Sequence, residues 1–313
     1  MPGKIAENAA GESRPVRYFP SSKYGQATIQ EEDSQMKWTP IGSTVAVALA
    51  LVAGPVQAGP LEDRVAAGKP IRLGFANAAP WAHPGKSGEP LGFVNVITIE
   101  VLKKMGHTKI EPVLTDWAGL IPSLVAGRVD IITGGMYILK ARCKNIDFSE
   151  PIGQFGNAFI VPKGNPKKLQ NYEDIKKSGA VMAVPTGYVM VKEARKVGIA
   201  ENKIMKVPGT TEVLAAVRSG RADIGAMTAV EADKIARETG NVDATDTNAL
   251  PKWTFNWVGI GFHLSDDKIR AKFNAAMKGY IGSKKMLAQV AQYDYIPANV
   301  PGDVKTEWIC ANR

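Results

Sequence analysis

Cysteine, histidine and aromatic residues are all scarce in this chain of 313 residues, and each shortage narrows what it can be. Two cysteines (Cys143, Cys310) and three scattered histidines (His83, His107, His263) exclude a Cys-rich zinc module, so no metal is expected. No P-loop, HExxH or GxSxG pattern occurs, which removes the commonest NTPase and hydrolase signatures. The net charge of +9 is carried by scattered lysines and arginines with no run of five. That pattern describes a basic solvated surface better than a nucleic-acid interface, and nucleic acid is not expected as a partner. An apolar fraction of 45% with 22% charged residues is ordinary for a globular protein and argues against a disordered or fibrous chain. A length of 313 residues exceeds the usual size of one hydrophobic core, so two lobes are the prior.

The apolar stretch from Ile41 to Val52 has 12 residues, well short of the roughly 20 that cross a bilayer. Lys37 before it and small residues at Val56 and Ala58 after it make residues 36–58 a predicted secretory leader, cleaved after Ala58. Residues 1–35 are polar, interrupted by Gly and Pro, and lack apolar periodicity. They read as an upstream over-read with Met36 as the start, or as a disordered leader. Residues 1–58 hold five charges of each sign, so the mature chain keeps +9. Export would place Cys143 and Cys310 in an oxidising compartment, where an even pair tends to bridge and would stabilise the fold by about 2–5 kcal/mol. Two free thiols are the alternative, because sequence cannot bring their Cα atoms together.

Beyond Ile71 the chain alternates strand-like and helical runs. Strands are predicted at 71–75, 110–114, 130–133, 181–184, 204–207 and 222–227. Helices fall between and after them at 96–105, 120–126, 188–196, 211–219 and 229–238. This alternation predicts an α/β fold with mostly parallel sheets covered on both faces. An internal echo supports two related lobes: residues 120–131 and 213–224 are both an apolar helix ending in Gly-Arg-x-Asp-Ile. The glycine there supplies a left-handed cap before the strand.

The segment from Gly135 to Lys144, followed by Asp147-Phe148-Ser149-Glu150-Pro151, resembles family 3 periplasmic solute-binding proteins of ABC importers. Within that family the chain is most similar to the ectoine- and hydroxyectoine-binding branch. The matching features are Gly74-Phe75-Ala76-Asn77, Pro80-Trp81, Met136-Tyr137-Ile138, Arg142-Cys143-Lys144 and the late Cys310. The resemblance implies a type II periplasmic-binding-protein fold. Lobe one would comprise 59–157 plus 262–313 and lobe two 158–261. Crossing strands near 157–161 and 259–262 would form the hinge. It also implies a periplasmic, non-catalytic monomer without cofactor, which closes over a small zwitterion and delivers it to the transmembrane subunits of an ABC permease.

Carried onto this sequence, the family pattern makes Arg142 the carboxylate clamp, since only a guanidinium offers two parallel donors to one carboxylate. Thr186-Gly187 follows a strand and opens a helix, so its N–H groups and hydroxyl would form a second anion anchor from lobe two. Trp81, Trp117 and Tyr137, with Met136 beside them, would box a delocalised cation, each ring contributing about 0.5–2 kcal/mol. Relatives that bind α-amino acids usually hold the ammonium with an Asp where this chain has Thr228. A compact ammonium wants acceptor oxygens, whereas a ring amidinium tolerates aromatic walls, so the exchange favours an ectoine-like zwitterion. One departure is Ala78, where the branch has Glu; Asn77 would compensate in part. Trp253, Asn256 and Trp257, shortly before the second crossing strand, would either line the cleft or pack near the hinge, and are left out of the core set. A polar or cationic amino acid is the second ligand reading. A cyclohexadienyl-dehydratase-like lyase is the reading from another class, with Asp116 and Glu89 as its candidate acids.

Overall fold

The computed structural model describes residues 59–313; the segment 1–35 and the leader 36–58 with its cleavage site lie outside the described residues. Two five-stranded sheets organise the chain. The first has the strand order 110–114, 71–75, 131–132, 261–262, 147–148. Its first three strands run parallel, while Gly261–Phe262 pairs antiparallel to both neighbours. The second has the order 204–207, 182–185, 224–228, 157–162, 242–244, again parallel for three strands. Asn157–Pro162 then runs antiparallel between Ile224–Thr228 and Val242–Ala244. Helices Phe93–Lys104 and Leu120–Val125 follow strands of the first sheet. Met190–Val197, Thr210–Arg218 and Ala229–Thr239 follow strands of the second. Most of these lie within two or three residues of the positions that apolar periodicity predicts, because each buries one stripe against a sheet.

The repeated Gly-Arg-x-Asp has a structural cause in both lobes. Gly127 (φ 63°) and Gly220 (φ 70°) end their helices in the left-handed region, where a side chain would be strained. Three residues later a carboxylate catches the N–H at the head of the lobe's first parallel strand. Asp130 accepts from Arg72 N at 2.7 Å, and Asp223 accepts from Val181 N at 2.8 Å. Asp130 also takes the Arg72 guanidinium at 2.6 and 3.1 Å, and Asp223 takes Lys167 at 2.6 Å. These aspartates fix the starts of interior strands.

The chain passes between the sheets twice. Gly153–Phe155 and Asn256–Val258 pair antiparallel, Phe155 opposite Asn256 and Gly153 opposite Val258. The crossing therefore lies a few residues earlier than 157–161 and 259–262, which are taken up by the lobes' own sheets. The lobe-one core packs Trp81, Phe93, Phe155 and Tyr295 ring against ring, with centroids 4.5–5.8 Å apart. Burying each such ring contributes about 1.5–3 kcal/mol, so the crossing strands are anchored by Phe155. Helix Thr306–Asn312 is held to the body by the Cys143–Cys310 disulfide, whose Cα atoms stand 5.8 Å apart. Among the described residues no helix is long and apolar enough to cross a membrane.

Candidate functional site

A narrow cavity lies where the strand ends of the two sheets face each other. Lobe one lines it with Trp81, Trp117, Gly134, Gly135, Tyr137 and Arg142, and lobe two with Tyr188, Val189, Met190 and Thr228. Strand ends are where ligands of open α/β sheets bind, because the loops there diverge and leave a crevice.

Arg142 sits on the turn after Tyr137 and reaches across the cleft. Its Nη1 donates to the Tyr137 carbonyl at 2.8 Å and its Nη2 to the Gly187 carbonyl at 3.0 Å. The guanidinium carbon stands 5.8 Å from the Trp117 ring centre. Burial pulls its pKa down to about 10, with the neighbouring tyrosines Tyr137 and Tyr188 opposing, so it remains a cation at neutral pH. The disulfide at the next residue fixes this turn to the 306–312 helix.

Trp81 is buried and shows the cavity one edge. Its Nε1 donates to Thr228 Oγ1 of the opposite lobe at 2.9 Å. Gly135 holds φ 81° beside it, and a Cβ there would stand 2.4 Å from Trp81 Cε3. Tyr137 is buried, pairs across to Val258 and donates its hydroxyl to Asn157 Oδ1 at 3.2 Å. Burial raises its pKa, reinforced by the charges of Glu231 and Glu193, so it stays a neutral phenol. Trp117 packs edge-on to Tyr188 with centroids 5.0 Å apart.

The remaining expected residues are placed differently. Met136 is buried in the lobe-one core with Leu120, Ile132, Ile138 and Phe148, away from the cavity. Along extended backbone, successive side chains point oppositely, so Tyr137 facing the cleft sends Met136 inward. Thr186 is exposed; its hydroxyl donates to the Val207 carbonyl at 3.1 Å and its N–H to the same oxygen at 2.8 Å. The helix begins only at Met190 with Val189 as its cap, so Thr186 caps nothing. Gly187 meets the cleft through its carbonyl, which accepts from Arg142, and not through an anion-binding N–H. Asn77 is exposed in a neighbouring open cavity, with Thr115, Asp116, Thr210 and Glu212, on the far side of the Trp117–Tyr188 pair. Trp253, Asn256 and Trp257 lie outside the cavity and pack at the crossing, Asn256 and Trp257 on strand Asn256–Val258 itself, around Arg313. The Arg313 guanidinium donates to the Trp253 carbonyl at 2.8 Å and to the Phe255 carbonyl, and lies 5.5 Å from the Trp257 ring.

Three residues that sequence reasoning passed over belong to the site. Tyr188 forms the wall opposite Trp117, and its hydroxyl donates to Glu231 Oε1 at 2.8 Å. Glu231 is fully buried behind Thr228, accepting its hydroxyl at 2.7 Å and its N–H at 3.0 Å; burial raises its pKa against these donors. Glu193 accepts from Asn157 Nδ2 at 2.8 Å and Tyr172 Oη at 2.6 Å, and burial pushes it up to about 7. Each occurs in sequence as an unremarkable helix residue. Among the described residues no group of three or more His, Cys, Asp or Glu is placed to hold a metal ion.

The family model described as bacterial extracellular solute-binding proteins, family 3, matches residues 71–293. The "probable amino-acid ABC transporter periplasmic-binding protein y4tE" of Sinorhizobium fredii is 28% identical over 279 residues, covering 86% of this chain and 93% of that protein. The "probable histidine-binding protein" of Neisseria gonorrhoeae is 28% identical over 205 residues, 65% of this chain and 74% of its own. Among solved structures, EhuB in complex with hydroxyectoine superposes with a TM-score of 0.73 at 24% identity, covering 81% of this chain and 98% of EhuB. The ancestral amino-acid-binding protein AncCDT-1, a precursor of cyclohexadienyl dehydratase, superposes with a TM-score of 0.65 at 26% identity, covering 75% and 99%. At 24% identity the likeness to EhuB is a likeness of fold.

Proposed function

Since the chain belongs to the family 3 bacterial extracellular solute-binding proteins, a family that hands small ligands to ABC permeases, we propose that it captures a small zwitterion of the ectoine type. The observation that carries this reading is a single cavity in which the Arg142 guanidinium stands among Trp81, Trp117, Tyr137 and Tyr188, with Thr228 in place of an ammonium-binding Asp. Arg142 would exchange the Gly187 carbonyl for the ligand carboxylate, a stronger acceptor because it is charged. The rings would receive the delocalised cation, which needs no strict hydration and gains from their negative faces.

Entry requires the two lobes to part, because Trp81–Thr228 and Arg142–Gly187 bridge the cleft directly. Ligand contacts to both lobes would then replace these bridges, and binding free energy would set the closed population. The protein would act as a periplasmic monomer.

Calorimetry against ectoine, hydroxyectoine, glycine betaine, L-histidine and L-arginine tests the reading. Ectoine or hydroxyectoine is expected to bind at micromolar strength or better. Arg142→Ala should weaken it by about 2–5 kcal/mol, since a buried carboxylate then lacks its partner. Undiminished affinity in that variant, or a tight ligand with no carboxylate, overturns it. A polar or cationic amino acid is the second reading, favoured by the histidine- and amino-acid-binding relatives and by the buried carboxylate of Glu231. The lyase reading has less support, since Asp116 and Glu89 are both exposed and neither lines the cavity. Turnover of prephenate, lost in Asp116→Asn or Glu89→Gln, would establish it.

A further inference from the structure

Glu231 occupies the third position of helix Ala229–Thr239, where a carboxylate commonly accepts the N–H of the cap residue. Oε2 does so, taking Thr228 N at 3.0 Å. Capping accounts for nothing further. Yet Oε2 also takes the Thr228 hydroxyl at 2.7 Å, and Oε1 takes the Tyr188 hydroxyl at 2.8 Å from a turn 43 residues away in sequence. Both hydroxyls line the cavity, while Glu231 itself lies behind them, fully buried.

A hydroxyl has one proton and two lone pairs, and an ionised carboxylate only accepts. Ionised, Glu231 consumes the single proton of each hydroxyl, and what remains to face the cleft is acceptor capacity alone. Trp81 Nε1, which can only donate, already answers one of those lone pairs at 2.9 Å. Arg142, which can only donate, stands on the opposite wall. Trp81 Nε1 and Arg142 of lobe one thus meet the cavity as donors, and the Thr228 and Tyr188 hydroxyls of lobe two as acceptors.

We propose that Glu231 is the positioning residue that sets the charge preference of the cleft, by holding the Thr228 and Tyr188 hydroxyls as acceptors for an N–H-bearing cationic end of the ligand. The inference rests on the reading of the cavity as a carboxylate-solute site and deepens it. It explains why an Asp at position 228 is dispensable: the negative charge has moved one helical turn back and acts through two neutral oxygens. A ligand with a carbonyl or carboxylate at both ends would face unpaired lone pairs in lobe two, a mismatch that a buried site penalises heavily.

The test compares Glu231→Gln and Glu231→Asp with the unaltered protein on two ligand pairs. Each pair is a zwitterion and a carboxylate with no cationic nitrogen: ectoine against cyclohexanecarboxylate, and L-arginine against heptanoate. In Glu231→Gln the amide nitrogen donates to one hydroxyl, turning that proton into the cleft. The zwitterion should then bind at least about tenfold more weakly, the scale of one hydrogen bond to a charged group, while its partner changes by less than about twofold. Glu231→Asp should restore most of the discrimination. Equal loss within a pair would mean that Glu231 only holds the fold, and overturns the inference. Preference for arginine over ectoine would sink the ectoine reading while leaving Glu231 to be judged on the arginine pair. Should none of the four ligands bind, or should the glutamine variant fail to fold, carbon-13 NMR of the Glu231 carboxyl decides. An ionised group near neutral pH is the expected result, and a protonated one overturns the inference.

Discussion

At Gly135 the backbone has φ 81° and carries the turn between Gly134 and Tyr137 past the face of Trp81. Gly135→Ala would combine left-handed strain with a Cβ only 2.4 Å from Trp81 Cε3. Trp81 cannot retreat, since Phe93 and Phe155 lie 4.8 and 4.5 Å behind it. We expect the variant to lose about 2–4 kcal/mol in denaturant unfolding. It should also weaken ligand binding, because displacing Trp81 breaks its bond to Thr228. A loss below about 0.5 kcal/mol would mean that the turn has room to relax. The same neighbourhood marks what sequence could and could not convey. Trp81, Tyr137 and Arg142 were legible because their residue types suit a zwitterion and their motif is distinctive. Met136 was misplaced because its direction depends on which way a short extended segment turns, which residue types do not encode. Glu231 went unseen because Glu231, Asp233 and Glu238 on one helix all look solvated until tertiary packing buries the first of them.

The five helices that follow parallel strands were legible from periodicity, since each presents an apolar stripe to its sheet, whereas helices Tyr172–Ser178, Asp267–Met277, Lys284–Val290 and Thr306–Asn312 were not foreseen. Connections were less legible. Pro185-Thr186-Gly187 reads as a helix start, yet Gly187 (φ 85°) delays the helix to Met190, and that delay brings the Gly187 carbonyl round to Arg142. The link between the 139–146 turn and helix Thr306–Asn312 has its own consequence. The Cys143–Cys310 bridge spans 167 residues, so Cys310→Ser paired with Cys143→Ser should cost about 2–5 kcal/mol of stability. Because Arg142 adjoins the bridge, ligand affinity should fall several-fold as its turn loosens. Unchanged affinity alongside reduced stability would show that the turn is held by its own hydrogen bonds. A second element-level effect joins helix Met190–Val197 to strand Asn157–Pro162 through Glu193 and Asn157. Burial raises the Glu193 pKa to about 7 against hydrogen bonds from Tyr172 and Asn157 and the charges of Arg313 and Lys196. Unfolded, the carboxyl returns to about 4.3. The folded state therefore holds the proton more tightly, so this group favours folding below about pH 4.3 and loses that contribution as pH rises to 7. Glu193→Gln should flatten the decline in unfolding free energy over that window by on the order of 2–3 kcal/mol. An unchanged slope would place the titration elsewhere.

Across the whole molecule, the two sheets meet through a narrow crossing and a handful of polar bridges, and in the proposed closure these would set the balance between open and closed forms. Trp81–Thr228, Arg142–Gly187 and Tyr137–Asn157 are the bridges nearest the cavity. On the back of the molecule, Arg313 ties helix Thr306–Asn312 to the carbonyls just before the second crossing strand, and Lys140 N donates to the Arg313 carbonyl at 2.8 Å. Hinge rotation in such a frame is absorbed by a few residues, while each lobe moves as a packed body. Trp81→Phe isolates one term of that balance. It keeps an aromatic ring among Phe93, Phe155 and Tyr137 and removes the indole N–H that crosses to Thr228, together with part of the fused ring. A net bond of about 0.5–1.5 kcal/mol is lost from the closed form alone, so the ligand-free population should shift several-fold toward the open form. Small-angle scattering would register a larger radius of gyration without ligand, and saturating ligand should return it to the unaltered value. Fluorescence transfer between labels on Lys86 and Lys206, both outside the cavity, offers an independent measure of the same change. Identical ligand-free dimensions in the variant would show that the crossing strands and the Arg313 tie, not the cavity bridges, hold the lobes together.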